Sequence, residues 1–155
     1  MISLIILGII FLYAIISYNT LTRKRNNVDN AFGSIDVMLK KRFDLIPNLV
    51  ATVQQYAKHE EETFAKITNL RTKSYDSLTA EEKTDFDKAF TAAKNNFFMV
   101  AENYPALRSS ENFMQLQKTL NETEEQLSAS RRTYNAAVTD YNNSVMTFPS
   151  NIIAN

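Results

Sequence analysis

From Ile2 to Tyr18 the chain reads ISLIILGIIFLYAIISY, almost wholly apolar, and no charged side chain occurs from Met1 through Thr22. A helix over those residues is about 33 Å long, enough for a hydrocarbon core of about 30 Å. No polar face interrupts it, which disfavours a core helix of a soluble domain. A cleavable signal peptide needs a basic start, a shorter apolar stretch and small residues at a cleavage site. Here no Lys or Arg precedes the run, and Tyr18, Asn19 and Thr20 follow it. The pattern predicts an uncleaved transmembrane anchor over residues 1–22.

Beyond the anchor, apolar residues recur with a helical period. Leu21, Val28, Phe32, Ile35 and Leu39 are spaced by three, four and seven, which lays one stripe on a helix from Asn19 to about Arg42, with continuity into the anchor left open. The next stretch, RFDLIPNLV at 42–50, sets a proline inside the run. In a helix interior Pro47 would remove a hydrogen bond and press on the carbonyl of Phe43, at about 3 kcal/mol or more. In a first turn it costs little, because the amides there have no intrahelical partner. With Asp44 as N-cap, Leu45, Ile46 and Pro47 become the first turn of a second helix, and the cap is worth about 1 kcal/mol. The rival is one kinked helix running through Pro47. The cap reading is preferred on length: an unsplit helix would run about 80 Å with nothing to cover its far end.

The second helix then carries Ile46, Leu49, Val53, Ala57, Phe64, Ile67 and Leu70 on one face and ends near Ser74. TAEE at 79–82 has capping-box spacing and starts a third helix with the stripe Phe86, Phe90, Ala93, Phe97, Ala101 and Tyr104, stopped by Pro105. In the last helix, from about Ser110 to Phe148, an apolar or aromatic residue stands at every seventh position: Phe113, Leu120, Leu127, Tyr134, Tyr141 and Phe148. Three further on come Leu116, Thr123, Ser130, Ala137 and Ser144, mostly small. A seven-residue repeat belongs to bundle packing. The expectation is an all-α protein: an N-terminal transmembrane helix, an antiparallel four-helix bundle over 23–149, and a short tail at 150–155.

Charge adds an orientation. Arg23, Lys24 and Arg25 follow the span and none precedes it, so the rest of the chain should face the cytoplasm and the N-terminus the outside. The same three side chains can hold anionic lipid headgroups. With 17 basic and 17 acidic residues the formal net charge is zero, which argues against a nucleic-acid partner. The chain has no cysteine to suggest disulfides.

Catalytic signatures are missing. HEEET at 59–63 begins like a zinc-protease HExxH, but Thr63 stands where the second histidine belongs and His59 is the only one. Di-iron Glu-x-x-His pairs, phosphate-binding glycine loops and a serine elbow are likewise not found. A carboxylate-only site using Glu102, Glu111 or Glu124 stays open, against the commoner reading of a solvated face. Glu124 and Arg131 lie beside the heptad column. Buried, they would pair with residues of another helix, Arg42 or Asp44 being the candidates; otherwise they extend to the rim. Arg42, Asp44, Pro47, Glu124 and Arg131 are therefore structural candidates, with no catalytic, metal or cofactor ligand assigned.

The segment IDVMLKKRFDLIPNLVATVQQYAKHE at 35–60 resembles the signature of the LemA family. AENYPALRSSENFMQLQ at 101–117, TEEQLSASRRTYNAAVTDYN at 123–142 and FPSNIIA at 148–154 agree with it in order. The resemblance implies a bacterial inner-membrane protein with one N-terminal span and a helical cytoplasmic domain. It brings no catalytic residues and no cofactor. One relative takes part in building magnetosomes, and members are discussed beside membrane zinc peptidases, which suggests scaffolding or membrane quality control. The expected function is a non-enzymatic adaptor. The alternatives are an enzyme with a carboxylate-based site and a membrane-coupled sensor. Expected partners are the lipid bilayer and other membrane proteins, a membrane peptidase among the candidates, with self-association left open.

Overall fold

A computed structural model describes residues 1–56 and 60–154. Ala57 of the expected second stripe and His59 of the HEEET stretch lie outside the described residues. Among the described residues the chain is all-helical: α1 (Ile2–Tyr56), α2 (Glu61–Asn69), a 3-10 turn (Tyr75–Ser77), α3 (Ala80–Ala101), α4 (Pro105–Arg108), α5 (Glu111–Met146) and α6 (Asn151–Ala154).

The expected split at Asp44 is not there. α1 runs through Pro47, and Asp44 is an exposed mid-helix residue rather than an N-cap. The reason is burial on both sides of the proline. Phe43, Ile46, Leu49 and Val53 are all sealed from solvent, and each is worth about 1.5–3 kcal/mol when buried. Keeping them in one helical stripe outweighs the roughly 3 kcal/mol proline penalty and the roughly 1 kcal/mol cap that a break would offer. Pro47 itself is exposed, so its ring stays out of that stripe. The interruption falls later: Glu60, at φ −93° and ψ 57°, is non-helical and precedes α2.

Other boundaries follow their local chemistry. Thr79 accepts from the Glu82 amide at 3.2 Å while its own amide donates to the Glu82 carboxylate at 2.8 Å, so the capping box is closed. The Lys73 ammonium at 2.6 Å, with those Thr79 bonds, draws the Glu82 carboxyl down to about 2. α3 buries Phe86, Phe90, Ala93, Phe97 and Ala101 and ends there; Tyr104 is not part of it, and Pro105 opens the short α4 at the position where a missing N–H costs nothing. Ser110 accepts from the Phe113 amide at 3.2 Å and caps α5.

The described residues form two compact units: Met1–Ile35 with Ser128–Asn155, and Asp36–Leu127. The first holds the beginning of α1, the end of α5, and α6. Its two long helical segments are antiparallel, with Phe32 against Tyr134 (ring centroids 5.9 Å apart) and Lys24 on Asp140 (2.8 Å) and Ser144 (2.6 Å). The covered residues of α1 are Ala14, Ser17, Leu21, Lys24, Val28, Ala31 and Ile35, one narrow stripe. The second unit draws on the rest of α1, on α2, α3 and α4, and on the first half of α5. There Phe113, Leu116, Leu120, Thr123 and Leu127 are all buried, which is the heptad pattern read from sequence. Beyond Leu127 the pattern changes: Tyr134 and Tyr141 are half-buried, and Phe148 stands 75% exposed.

Candidate functional site

The second unit is built around a buried cation. Arg42 has 2% of its surface exposed, although it sits on a helix face among Leu39, Phe43 and Ile46. A guanidinium there needs a counter-charge at each end of its fork. Asp87 of α3 accepts from Nη1 and Glu124 of α5 from Nη2. Nη1 also lies 3.5 Å from the Thr91 hydroxyl, and the guanidinium carbon is 5.5 Å from the centre of the Phe90 ring. Lys94 donates to the same Glu124 oxygen at 3.0 Å. Two cations and two carboxylates therefore balance, and they join α1, α3 and α5.

Burial pushes the Glu124 carboxyl up, but the Lys94 hydrogen bond and the Arg42 charge more than offset it, leaving the group below its ordinary value. A carboxylate held in this way stays ionised near neutral pH and is poorly placed to move protons. Glu102 and Glu111 are exposed. Among the described residues no group of three or more His, Asp or Glu is placed to hold a metal ion.

A second polar centre lies on Asp36. It accepts from the Tyr75 hydroxyl at 2.7 Å and from Lys83 at 2.7 Å. Burial raises Asp36, and the Lys83 and Tyr75 hydrogen bonds bring it back below its usual value. Tyr75 itself is pushed well up, first by burial and then by the neighbouring Asp36. Its ring lies 5.7 Å from Phe43 and 6.4 Å from Phe86, which ties the polar centre to the aromatic core.

The remaining residues singled out from sequence lie elsewhere. Asp44 and Pro47 are on the exposed side of α1, and Arg131 is exposed on α5 in the first unit, whereas Glu124 belongs to the second. Of the basic triplet, Arg23 and Arg25 are exposed, and Lys24 is half-covered by its bonds to Asp140 and Ser144. Sequence reasoning missed Asp87 and Lys94. The signal was present: Asp87, Thr91 and Lys94 are spaced four and three apart, a polar stripe beside the phenylalanines of α3.

A recess of about 450 Å³ opens in the second unit between α1 and α5. Leu45, Ala51 and Leu116 line it together with the polar Asn48, Thr52, Gln55, Asn112, Gln115 and Thr119. All are neutral, so it suits uncharged hydrogen-bonding groups and not an ion.

Taken together these features define a class: an all-helical protein in which one helix, over Ile2–Gln55, includes a stretch long and apolar enough to cross a membrane. The chain belongs to the LemA family, whose sequence profile matches residues 31–155. It is similar to Protein LemA of Metamycoplasma hominis, with 28% identity over 153 residues, covering 96% of this chain and 68% of that protein. It is also similar to Magnetosome proteins MamQ 1 and MamQ 2 of Paramagnetospirillum magneticum, each 23% identical over 163 residues. Those alignments cover 88% of this chain and 60% of either relative, so the chain spans well under the full length of the magnetosome proteins.

Proposed function

We propose that the protein is a membrane-tethered helical adaptor whose folded body lies at the cytoplasmic face of the bilayer. The observation that carries this reading is the continuity of α1, in which the apolar segment and the buried stripe of the body belong to one helix with no linker between them. A body held this way stays in a thin layer beside the membrane, where partners confined to the same layer meet it at raised effective concentration. Weak contacts then suffice, which serves an adaptor and does little for an enzyme acting on a soluble metabolite.

The side is argued from Arg23, Lys24 and Arg25, which follow the apolar segment. Two relatives are named for the magnetosome, which is in keeping with a role in organising membranes. The neutral recess between α1 and α5 offers hydrogen bonds to the backbone of a partner segment, a membrane peptidase being one candidate.

Replacing residues 1–18 by an unrelated span of the same orientation should preserve the cellular role, and removing them should abolish it. Full function from the untethered body would reject the adaptor reading. A cysteine introduced at the exposed Ser77 should resist an impermeant thiol reagent in intact cells and react after lysis; labelling without lysis would reject the cytoplasmic side.

A further inference from the structure

Met146 at the end of α5, Phe148 in the turn beyond it and Ile152 in α6 are 75%, 75% and 68% exposed. Leaving such side chains in water forgoes about 1.5–3 kcal/mol for each, and the heptad that would bury Phe148 in a bundle runs out of partners here. Their place along α1 suggests what covers them. Phe32 faces Tyr134, and Lys24 faces Asp140 and Ser144. The two segments are antiparallel, so each residue forward on α5 is one back on α1, and Met146, where α5 ends, comes level with about Thr20, with Phe148 in the turn just beyond it, toward Tyr18. Ser17 is only 7% exposed while Ile16 and Tyr18 are open. By this register the residues past about 145 are the part of the second segment that comes to that level.

Tyr18 lies five residues inside Arg23, about 7 Å along a helix axis. That is the depth of an interfacially bound apolar face, about 5–10 Å below the headgroups. Charge agrees with depth. From Tyr141 to Asn155 there is no Asp, Glu, Lys or Arg, and the last charge before that stretch, Asp140, is neutralised by Lys24. Arg23 and Arg25 stay exposed for the headgroups.

We propose that Met146, Phe148 and Ile152 form a second lipid contact, an interfacial wedge seated in the leaflet where the apolar helix emerges. The proposal rests on the membrane-anchor reading, and its occupant is the lipid surface itself. The wedge and the anchor are then two insertions from one antiparallel helix pair. The pair cannot rotate freely about the anchor axis, because turning would drag the wedge out of register with the interface.

The chain has no tryptophan, so single-tryptophan variants report one position each. The full chain carrying Phe148→Trp, Ile152→Trp, Phe11→Trp or Met114→Trp is reconstituted into phosphatidylcholine and phosphatidylglycerol vesicles with acyl chains brominated near the carbonyl or near the methyl end. Circular dichroism confirms that each variant is helical. Phe148→Trp and Ile152→Trp should emit to the blue and lose most of their emission to bromines near the carbonyl, with little quenching by aqueous iodide. Phe11→Trp should respond most to the deep bromines and Met114→Trp to iodide alone. If the Phe148 variant does not fold, Met146→Trp replaces it. Iodide quenching of the tail positions with Phe11→Trp still quenched by lipid would overturn the wedge and leave the anchor standing. Tail positions shielded from both quenchers would mean that a second copy of the chain covers them and would overturn the wedge, and iodide quenching at every position would overturn anchor and wedge together.

Discussion

Leu49, Ile67 and Leu127 of the second unit are fully sealed, whereas Leu7, Leu12 and Phe148 of the first are each more than 60% exposed. Both units are built on α1 and α5, so the difference lies in what surrounds those helices. The second unit adds α2, α3 and α4, and the apolar stripes of α3 and of the first half of α5 are buried there. The first has two long antiparallel segments, which cover one narrow stripe on each other and leave the remaining apolar surface without protein. The apolar run at the start of α1 is long and apolar enough to cross a membrane, whereas the exposed residues from Arg23 on, in both units, include many charges that suit water.

The largest effect should come from the buried arginine. Arg42→Ala removes the buried guanidinium that Asp87 and Glu124 share and should cost about 3–5 kcal/mol in urea unfolding of the chain in detergent. A loss under about 1 kcal/mol would mean the centre is solvated like the Lys24–Asp140 pair of the first unit. Leu49→Ala should cost about 2–5 kcal/mol by leaving a cavity. Leu12→Ala, by contrast, should leave the unfolding of the helical body unchanged. Equal losses would erase the contrast between the units.

Pro47→Ala should stabilise the chain by about 2 kcal/mol, because it restores a hydrogen bond inside α1 and only part of that gain is lost to a freer unfolded chain. Destabilisation would show that a helix begins there after all. The acid side of the stability curve gives a smaller effect. Asp36 and Glu124 titrate below their ordinary values of 3.8 and 4.5. Their contribution is therefore fully present above those values and is lost as pH falls through the lower, folded ones. Asp36→Asn should flatten the drop in unfolding midpoint measured below about pH 4. The smallest effect belongs to Lys24→Ala, whose exposed pair with Asp140 should be worth less than about 1 kcal/mol.

Much of this was legible in the chain itself. The uncharged start, the capping box at Thr79, the phenylalanine stripe of α3 and the heptad from Phe113 to Leu127 are local patterns, and local patterns survive folding. The LemA signature was legible for the same reason. The split at Asp44 failed because it weighed a cap, a proline and the length of an unsplit helix, and none of these includes the burial of side chains on both sides of Pro47. The deciding quantity was the burial of Phe43, Ile46, Leu49 and Val53, which depends on α3 and α5 arriving from far along the sequence. The same limit hid the centre at Arg42. Glu124 and Arg42 could be suspected of pairing, but that Asp87 and Lys94 complete the balance depends on which face α3 turns inward. Phe148 obeyed the heptad in sequence and left it in space, since α5 ends at Met146 and Phe148 lies in the turn before α6.

The most direct test of two solvents for one chain uses single cysteines, since the natural chain has none. Spin labels at Ile5, Ile9, Leu12 and Ile16, and at Met99 and Met114 of the second unit, would be compared in bilayers for collision with oxygen and with a water-soluble nickel chelate. All six positions are exposed on the protein. The labels at 5 to 16 should be open to oxygen and closed to the chelate, and those at 99 and 114 open to the chelate. Free access of the chelate to both sets would contradict the account.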